Sequence, residues 1–347
     1  MKSKNLSEKI LRSVKSRGFK YIELPSVIEA NHIVQRSGEN FRKFMFSFTD
    51  INGKELCLRP DLTIASCLRY LEGNFKGKEK IFYSGQAYRK VESKRDKIIR
   101  NQVGFEILGS KDEKNDDKEI INTSIKILQD FKFSSGTLTI GNIEIFNLLI
   151  SKLDIPKRWK LRLSRHFWRE EYFNDLLKRL ETNADIDPTI VEIDKKRYLD
   201  LLNKNPETMI AGRSVGEILK RFDTKIKDPR QAKRGNKVSK IIKSFLKISC
   251  PINKAAMELN KFFKKNKINL VVDQRYFPIS SNKLSKLNVK FSTSFGRHLE
   301  YYSGMVFKID VKSKSTTIKC AGGRYDRLIS DLGSKKQVPA VGAAFNL

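Results

Sequence analysis

Three short stretches of this 347-residue chain hold side chains that could do chemistry together. The first, Leu58-Arg59-Pro60-Asp61-Leu62-Thr63, sets a carboxylate and a hydroxyl two residues apart. At a strand-to-helix junction both can accept a hydrogen bond from an ammonium group, although Asp61 alone also fits a helix N-cap. The second is Tyr88-Arg89 with Gln102 and Glu106. If these segments pair as antiparallel strands, the side chains approach across the ladder. An arginine beside Glu and Gln would then bind a carboxylate at one end and a polar group at the other. A structural ion pair is the plainer alternative. The third runs from Phe295 to Phe307 (FGRHLEYYSGMVF) and resumes at Ala321-Gly322-Gly323-Arg324-Tyr325-Asp326. Tyr301 and Tyr302 offer an aromatic wall with hydroxyl tips. Gly322 and Gly323 let backbone come close to a ligand.

The elements around these stretches are readable from pattern. Asn5 and Glu8 have capping-box spacing, Leu6, Ile10, Leu11 and Val14 share a helical face, and Gly18 suits the C-terminal end. Phe46 and Phe48 are expected to face Leu56 and Leu58 across a hairpin that turns at Asn52-Gly53, a pair that favours a type I′ turn. Pro60 ends that strand, and Ile64, Leu68 and Leu71 mark a helix. A second hairpin is expected from Ile81–Arg89 and Val103–Leu108. Its connection, Lys90–Arg100, carries Lys94, Arg95, Lys97 and Arg100, and reads either as a phosphate or partner contact or as a solvated loop. Residues 119–131 and Asn142–Leu153 read as helices with Thr137–Ile140 as a strand between them. From Trp159 to about Phe263 the pattern is helical and lysine-rich, and Pro251 suits the first turn of a helix over 251–265. Strands are expected again at Leu270–Val272, Met305–Asp310 and Thr316–Cys320. This gives an α+β core in two parts, 1–155 and 266–347, around a mostly helical insertion at 156–265. Short hairpins favour an antiparallel or mixed sheet.

Composition narrows the function classes. No apolar run approaches the roughly 18 residues of a membrane span. The charged start, MKSKNLSEKI, lacks the apolar stretch of a secretory signal, so a soluble cytoplasmic protein is expected. Cys57, Cys67, Cys250 and Cys320 form no CxxC pair, and His32, His166 and His298 are scattered, which points away from disulfides and from a zinc site. No metal or other cofactor is expected. The net charge of +31 could signal a nucleic-acid partner. Lysine is spread over almost the whole chain and there is no RGG or RNP-like cluster, so the charge reads as solvated surface and nucleic acid as an improbable partner. His298 reads as a packing or surface residue, and Cys57 and Cys67 as core.

Four segments in order resemble the histidyl-tRNA synthetase family. YYSGMVF and AGGRYD resemble its two histidine-specific motifs, LRPDLT its segment after motif 1, and YRKVESK…RNQVGFEILG its motif 2. The resemblance implies a class II aminoacyl-tRNA synthetase-like fold, an antiparallel sheet flanked by helices, self-associated as a dimer. It implies a histidine-like pocket as well. Residues matching Asp61 and Thr63 would hold the amino group. Those matching Arg89, Gln102 and Arg297 would surround the carboxylate and the reacting phosphate. Those matching Glu106, Tyr301 and Tyr302 would surround the imidazole, with Gly322, Gly323 and Arg324 in the second histidine motif.

The departures matter as much as the matches. Asp61 stands where the synthetases usually have Glu, Gly304 where they have Arg, and the motif 2 loop is one residue shorter. The ending VGAAFNL resembles the opening of motif 3, so the arginine that braces ATP and the anticodon-binding domain are expected to be missing. This pattern resembles the family's non-catalytic branch, the ATP phosphoribosyltransferase regulatory subunits. That branch implies a short-form catalytic subunit as partner in a hetero-octamer, histidine as ligand, and a role in feedback on the first step of histidine synthesis. A truncated histidyl-tRNA synthetase, or a ligase activating histidine for another acceptor, is the alternative.

Overall fold

The structure is a computed structural model that describes residues 2–37, 39–73, 77–91, 97–131, 135–182, 188–210, 213–226, 232–279, 281, 283–284, 286–296, 301–313 and 316–347. The chain divides into two compact units. One holds Met1–Ile145, Ser249–Leu259 and Val272–Leu347, and the other Phe146–Ile248 and Asn260–Val271.

The first unit opens with helix α1 (Lys2–Lys15), strands β1 (Lys20–Tyr21) and β2 (Val27–Glu29), helix α2 (Ala30–Ser37), and strands β3 (Ser47–Thr49) and β4 (Glu55–Leu58). Helix α1 starts before Asn5, which lies inside it. Ile10 and Val14 are buried and Gly18 takes a positive φ of 80°, the left-handed geometry that glycine adopts without strain. Phe48 pairs with Leu56 as expected, but Asn52-Gly53 does not form a two-residue turn. Asp50 and Lys54 close a three-residue loop, Gly53 sits at φ 78°, and the Asp50 carboxylate accepts from the N–H groups of Asn52 and Lys54. That carboxylate selects the longer loop by satisfying two backbone donors.

Helix α3 (Leu62–Glu72), strands β5 (Glu79–Tyr88) and β6 (Ile99–Leu108), helix α4 (Glu113–Gln129) and strand β7 (Ser135–Asn142) follow. Asp112 caps α4, which therefore begins earlier than its apolar pattern suggests. After helix α5 (Ile143–Lys152) come α6 (Lys157–Arg165), α7 (Glu170–Glu181), α8 (Pro188–Leu202), the short pair β8 (Met209–Ile210) and β9 (Arg213–Ser214), α9 (Val215–Ile226) and α10 (Ala232–Phe245). In the second unit Phe146 stacks on Phe167 at 3.7 Å, with Phe173 and Phe245 around them.

The chain returns through β10 (Ser249–Pro251), α11 (Ala255–Lys265), β11 (Lys283–Leu284), β12 (Leu287–Ser292), β13 (Met305–Ser313), β14 (Thr316–Arg324), α12 (Leu328–Asp331) and β15 (Ala340–Asn346). Pro251 ends a strand and caps a 3-10 turn, so α11 starts later than expected. Leu270–Val272 forms no strand. Ile268 and Leu270 spend their N–H groups on the nearby carbonyls of Phe263 and Ile268, leaving no ladder to join.

Ten strands make one mixed sheet in the order β1-β5-β6-β15-β14-β13-β7-β12-β10, with β11 on β12. The run from β5 to β7 is antiparallel, and only β1·β5 and β7·β12 are parallel. One face is apolar. Phe105, Phe345 and Phe19 pack there, and Phe105 meets Phe19 edge-on at 5.4 Å. Burial of this face supplies the main driving force for the unit, at about 25 cal/mol per Å² of apolar surface removed from water. The other face carries the candidate site.

Candidate functional site

Side chains alternate along a strand, so register decides which residues share a face. Glu106 on β6 stands opposite Ile81 on β5 and Gly342 on β15. Gly342 in turn pairs with Gly323 on β14, and two residues along β6 Gly104 pairs with Tyr83. The floor of this face is thus built from residues with little or no side chain. A Cβ on Gly342 would lie 1.3 Å from Glu106 Oε2, and one on Gly104 2.5 Å from the Tyr83 ring.

Glu106 is 1% exposed. Tyr83 donates its hydroxyl to Oε1 at 2.5 Å, and Tyr325 donates to Oε2 at 2.6 Å. No cation faces it among the described residues. Its carboxyl is pushed up to about 7: burial and, to a smaller extent, the charge of Asp61 raise it against the pull of the Tyr325, Tyr83 and Thr63 hydroxyls. Tyr83 and Tyr325 are themselves pushed well above the usual phenol range by burial and by the Glu106 charge. Beside them Cys67, fully buried on α3, is raised by burial and by Glu106.

Asp61 caps α3, accepting from the Ile64 N–H at 3.0 Å. Its other oxygen lies 3.8 Å from the Arg89 guanidinium, which also donates to the Pro60 carbonyl and lies over the Phe41 ring. Thr63 Oγ1 is 3.4 Å from the Tyr83 hydroxyl. Tyr301 meets Tyr325 edge-on at 5.9 Å and Tyr302 at 5.0 Å, and Tyr302 covers Gly323. Asp61, Thr63, Arg89, Glu106, Tyr301, Tyr302 and Gly323 therefore converge from α3, two strands and the segment before β13. Arg59 is a brace beneath them. It is buried, donates to the carbonyls of Leu24, Pro25 and Gln86, and fills the space a side chain at Gly85 would need.

The other expected residues fall elsewhere. Gln102 shares the Glu106 face but lies four residues along the strand, about 13 Å away, bonded to Asn346 at 2.6 Å. Gly322 and Arg324 are corrected by register, because both alternate with Gly323 and point to the opposite face. Arg324 is spent there on Asp117 at 2.7 Å, Asp326 at 2.9 Å and the Glu113 carbonyl. A cavity of about 540 Å³ opens on that side, lined by Glu113, Asp117, Glu144, Tyr276 and Arg324 among others. Arg297 and His298, with Lys94 and Arg95 of the basic connection, lie outside the described residues. Tyr83 and Tyr325, the direct partners of Glu106, were not singled out from sequence. Their signal was available in part: Tyr325 sits inside AGGRYD, and the expected hairpin puts Tyr83 on the Glu106 side.

The arrangement suits a small zwitterion. A carboxylate and a hydroxyl at the α3 N-terminus can accept hydrogen bonds from an ammonium group, and a buried carboxyl among tyrosines can pair with a nitrogen heterocycle. Among the described residues no cluster of His, Cys, Asp or Glu could hold a metal, and no helix is long and apolar enough to cross a membrane.

A family model described as Histidyl-tRNA synthetase matches residues 1–347. The ATP phosphoribosyltransferase regulatory subunits of Agrobacterium fabrum and Allorhizobium ampelinum are 27% and 28% identical to this chain. Each match spans 96% of this chain, and 92% and 93% of those proteins. A solved structure from Bacillus halodurans, described as an ATP phosphoribosyltransferase regulatory subunit/histidyl-tRNA synthetase, is 21% identical with a TM-score of 0.57, over 99% of this chain and 76% of that one. The ATP phosphoribosyl transferase (HisG:HisZ) complex from Thermotoga maritima gives 18% identity and a TM-score of 0.53, over 99% and 96%. These two likenesses show the fold.

Proposed function

The chain belongs to the histidyl-tRNA synthetase family and has its class II synthetase-like α+β fold, and from that premise we propose that it is a non-catalytic regulatory subunit of ATP phosphoribosyltransferase. In this reading it binds histidine at the Glu106 pocket and works in a complex with the transferase's catalytic subunit, which transfers the phosphoribosyl group of phosphoribosyl pyrophosphate to ATP and releases pyrophosphate. Relatives matched over nearly their whole length carry the regulatory-subunit name.

The observation that carries the ligand is the carboxyl of Glu106, which meets no cation among the described residues and is buried among tyrosines across the floor from Asp61 and Thr63. The α-ammonium of histidine is taken by Asp61 and Thr63, its imidazole by Glu106 between Tyr301 and Tyr325, and its carboxylate lies toward Arg89. Histidine regulates only if it binds two states of the complex with different affinity, and the difference is the coupling free energy. A mixed complex containing dimers of this chain, ultimately a hetero-octamer, is the assembly in which such coupling is realised.

Reconstitution tests the reading. Purified chain added to a short catalytic subunit should raise phosphoribosyl transfer, and histidine should lower it again. No rise in transfer, together with histidine-dependent ATP–pyrophosphate exchange by the chain alone, would replace the regulator with a ligase.

A further inference from the structure

The start of helix α6 is charged against the helix dipole, while Arg162 and Arg165 in its last turn suit it. Its first turn carries Lys157 and Arg158 and no acidic residue, at the end where the helix dipole favours anions. Pro156 at the N-cap provides no side-chain cap. Lys157 and Lys160 stand three apart and Arg158 and Arg162 four apart, spacings at which like charges repel. Between Lys157 and Arg169 the sequence has no Asp or Glu at all. A local sequence that works against the element it builds marks a surface kept for another purpose.

The helix buries Trp159 and Leu163. On its opposite side Leu161 is 63% exposed. Lys157 lies one turn before it and Arg165 one turn after, both exposed. The row Lys157–Leu161–Arg165 is thus a large aliphatic side chain held in water between two cations. Protein–protein contacts have this anatomy, an apolar centre with a charged rim.

The rings nearby argue against a nucleic acid. Stacking on bases needs free aromatic faces. Both tryptophans of the chain lie in this region, yet Trp159 is fully buried with the Arg162 guanidinium 5.2 Å from its ring centre. Arg169 lies over Trp168 at 4.6 Å. These rings are spent on the protein's own guanidinium groups.

We infer that the Lys157–Leu161–Arg165 face docks an acidic, amphipathic helix of a protein partner, with an apolar side chain of that helix on Leu161 and carboxylates on the two cations. The inference uses no residue of the Glu106 pocket and stands whether or not histidine binds there.

The test uses the full chain and two labelled probes, a helical peptide of Glu and Leu with apolar residues at i and i+4 spacing, and an oligothymidylate of equal charge. Anisotropy titrations compare Lys157→Glu with Arg165→Glu, Leu161→Ser alone, and Lys335→Glu with Lys336→Glu as an equally exposed control. The face reversal should weaken peptide binding about tenfold and Leu161→Ser about threefold, with the control changing it less than about twofold. Circular dichroism should be the same for all variants. Equal losses in the face and control variants would reduce the effect to net charge and overturn the inference. So would a face reversal that weakens the oligothymidylate and spares the peptide.

Discussion

Glu106 and Arg324 lie two strands apart in one sheet, on opposite faces, both buried and both charged in principle. Arg324 is answered in full, by Asp117, Asp326 and a backbone carbonyl. Among the described residues Glu106 is answered by neutral hydroxyls, those of Tyr83, Tyr325 and Thr63, and the charged neighbour that acts on it is another carboxylate, Asp61. A buried charge paired on all sides ties elements together, here β14 to α4. A buried carboxyl without a cation stores a cost that a ligand can relieve. The first reads as architecture and the second as a receptor.

The largest effect should come from breaking the paired side. Arg324→Met strands Asp117 and Asp326 without their cation and should cost roughly 3–5 kcal/mol in urea unfolding. A cost below about 1 kcal/mol would mean that the clamp is ornamental and the contrast with Glu106 false. Histidine affinity per folded molecule should not change.

The unpaired side should announce itself through pH. A carboxyl raised from 4.5 to about 7 makes the folded state bind more protons than the unfolded state across that range. The contribution of Glu106 to stability is therefore fully present below pH 4.5 and is lost as pH rises through about 7, by about 3 kcal/mol. Glu106→Gln should flatten the difference in unfolding free energy between pH 5 and pH 7.5, relative to the parent chain. An unchanged slope would place the charge cost elsewhere.

Two smaller changes sharpen the comparison. Gly342→Ala sets a methyl group against Glu106 Oε2 and should cost about 1–3 kcal/mol through displaced packing. It should also weaken histidine binding at least about tenfold, measured by calorimetry. Thr63→Val removes the hydroxyl beside Tyr83 and should cost only about 0.5–1.5 kcal/mol. Its histidine affinity should nevertheless fall, because the lost group faces the ligand's ammonium.

The contrast between the faces also explains what was readable beforehand. The expected hairpin of β5 and β6 put Glu106 on a strand and Arg89 at the end of one, and the structure sets Arg89 just past β5. Tyr301 and Tyr302 followed from their adjacency. Gly322 and Arg324 were grouped with Gly323 because motifs are read as contiguous strings, whereas a strand sends neighbours to opposite faces. Strand β12, with its alternating burial, and the central strand β15 are defined by long-range pairing with β7, β14 and β6, which no local window contains. At Asn52-Gly53 the pair's own turn preference is outweighed by the Asp50 carboxylate two residues before Asn52. For Tyr83 alternation gives the face, and the register that pairs it with Gly104 brings its hydroxyl to Glu106.

The most direct test of the central claim is calorimetric titration of histidine into the parent chain and into Glu106→Gln. The account predicts a single histidine site in the parent chain and an affinity at least about tenfold weaker in the variant. Equal affinity in both, or no binding to the parent chain alone or in its complex with the catalytic subunit, would contradict it.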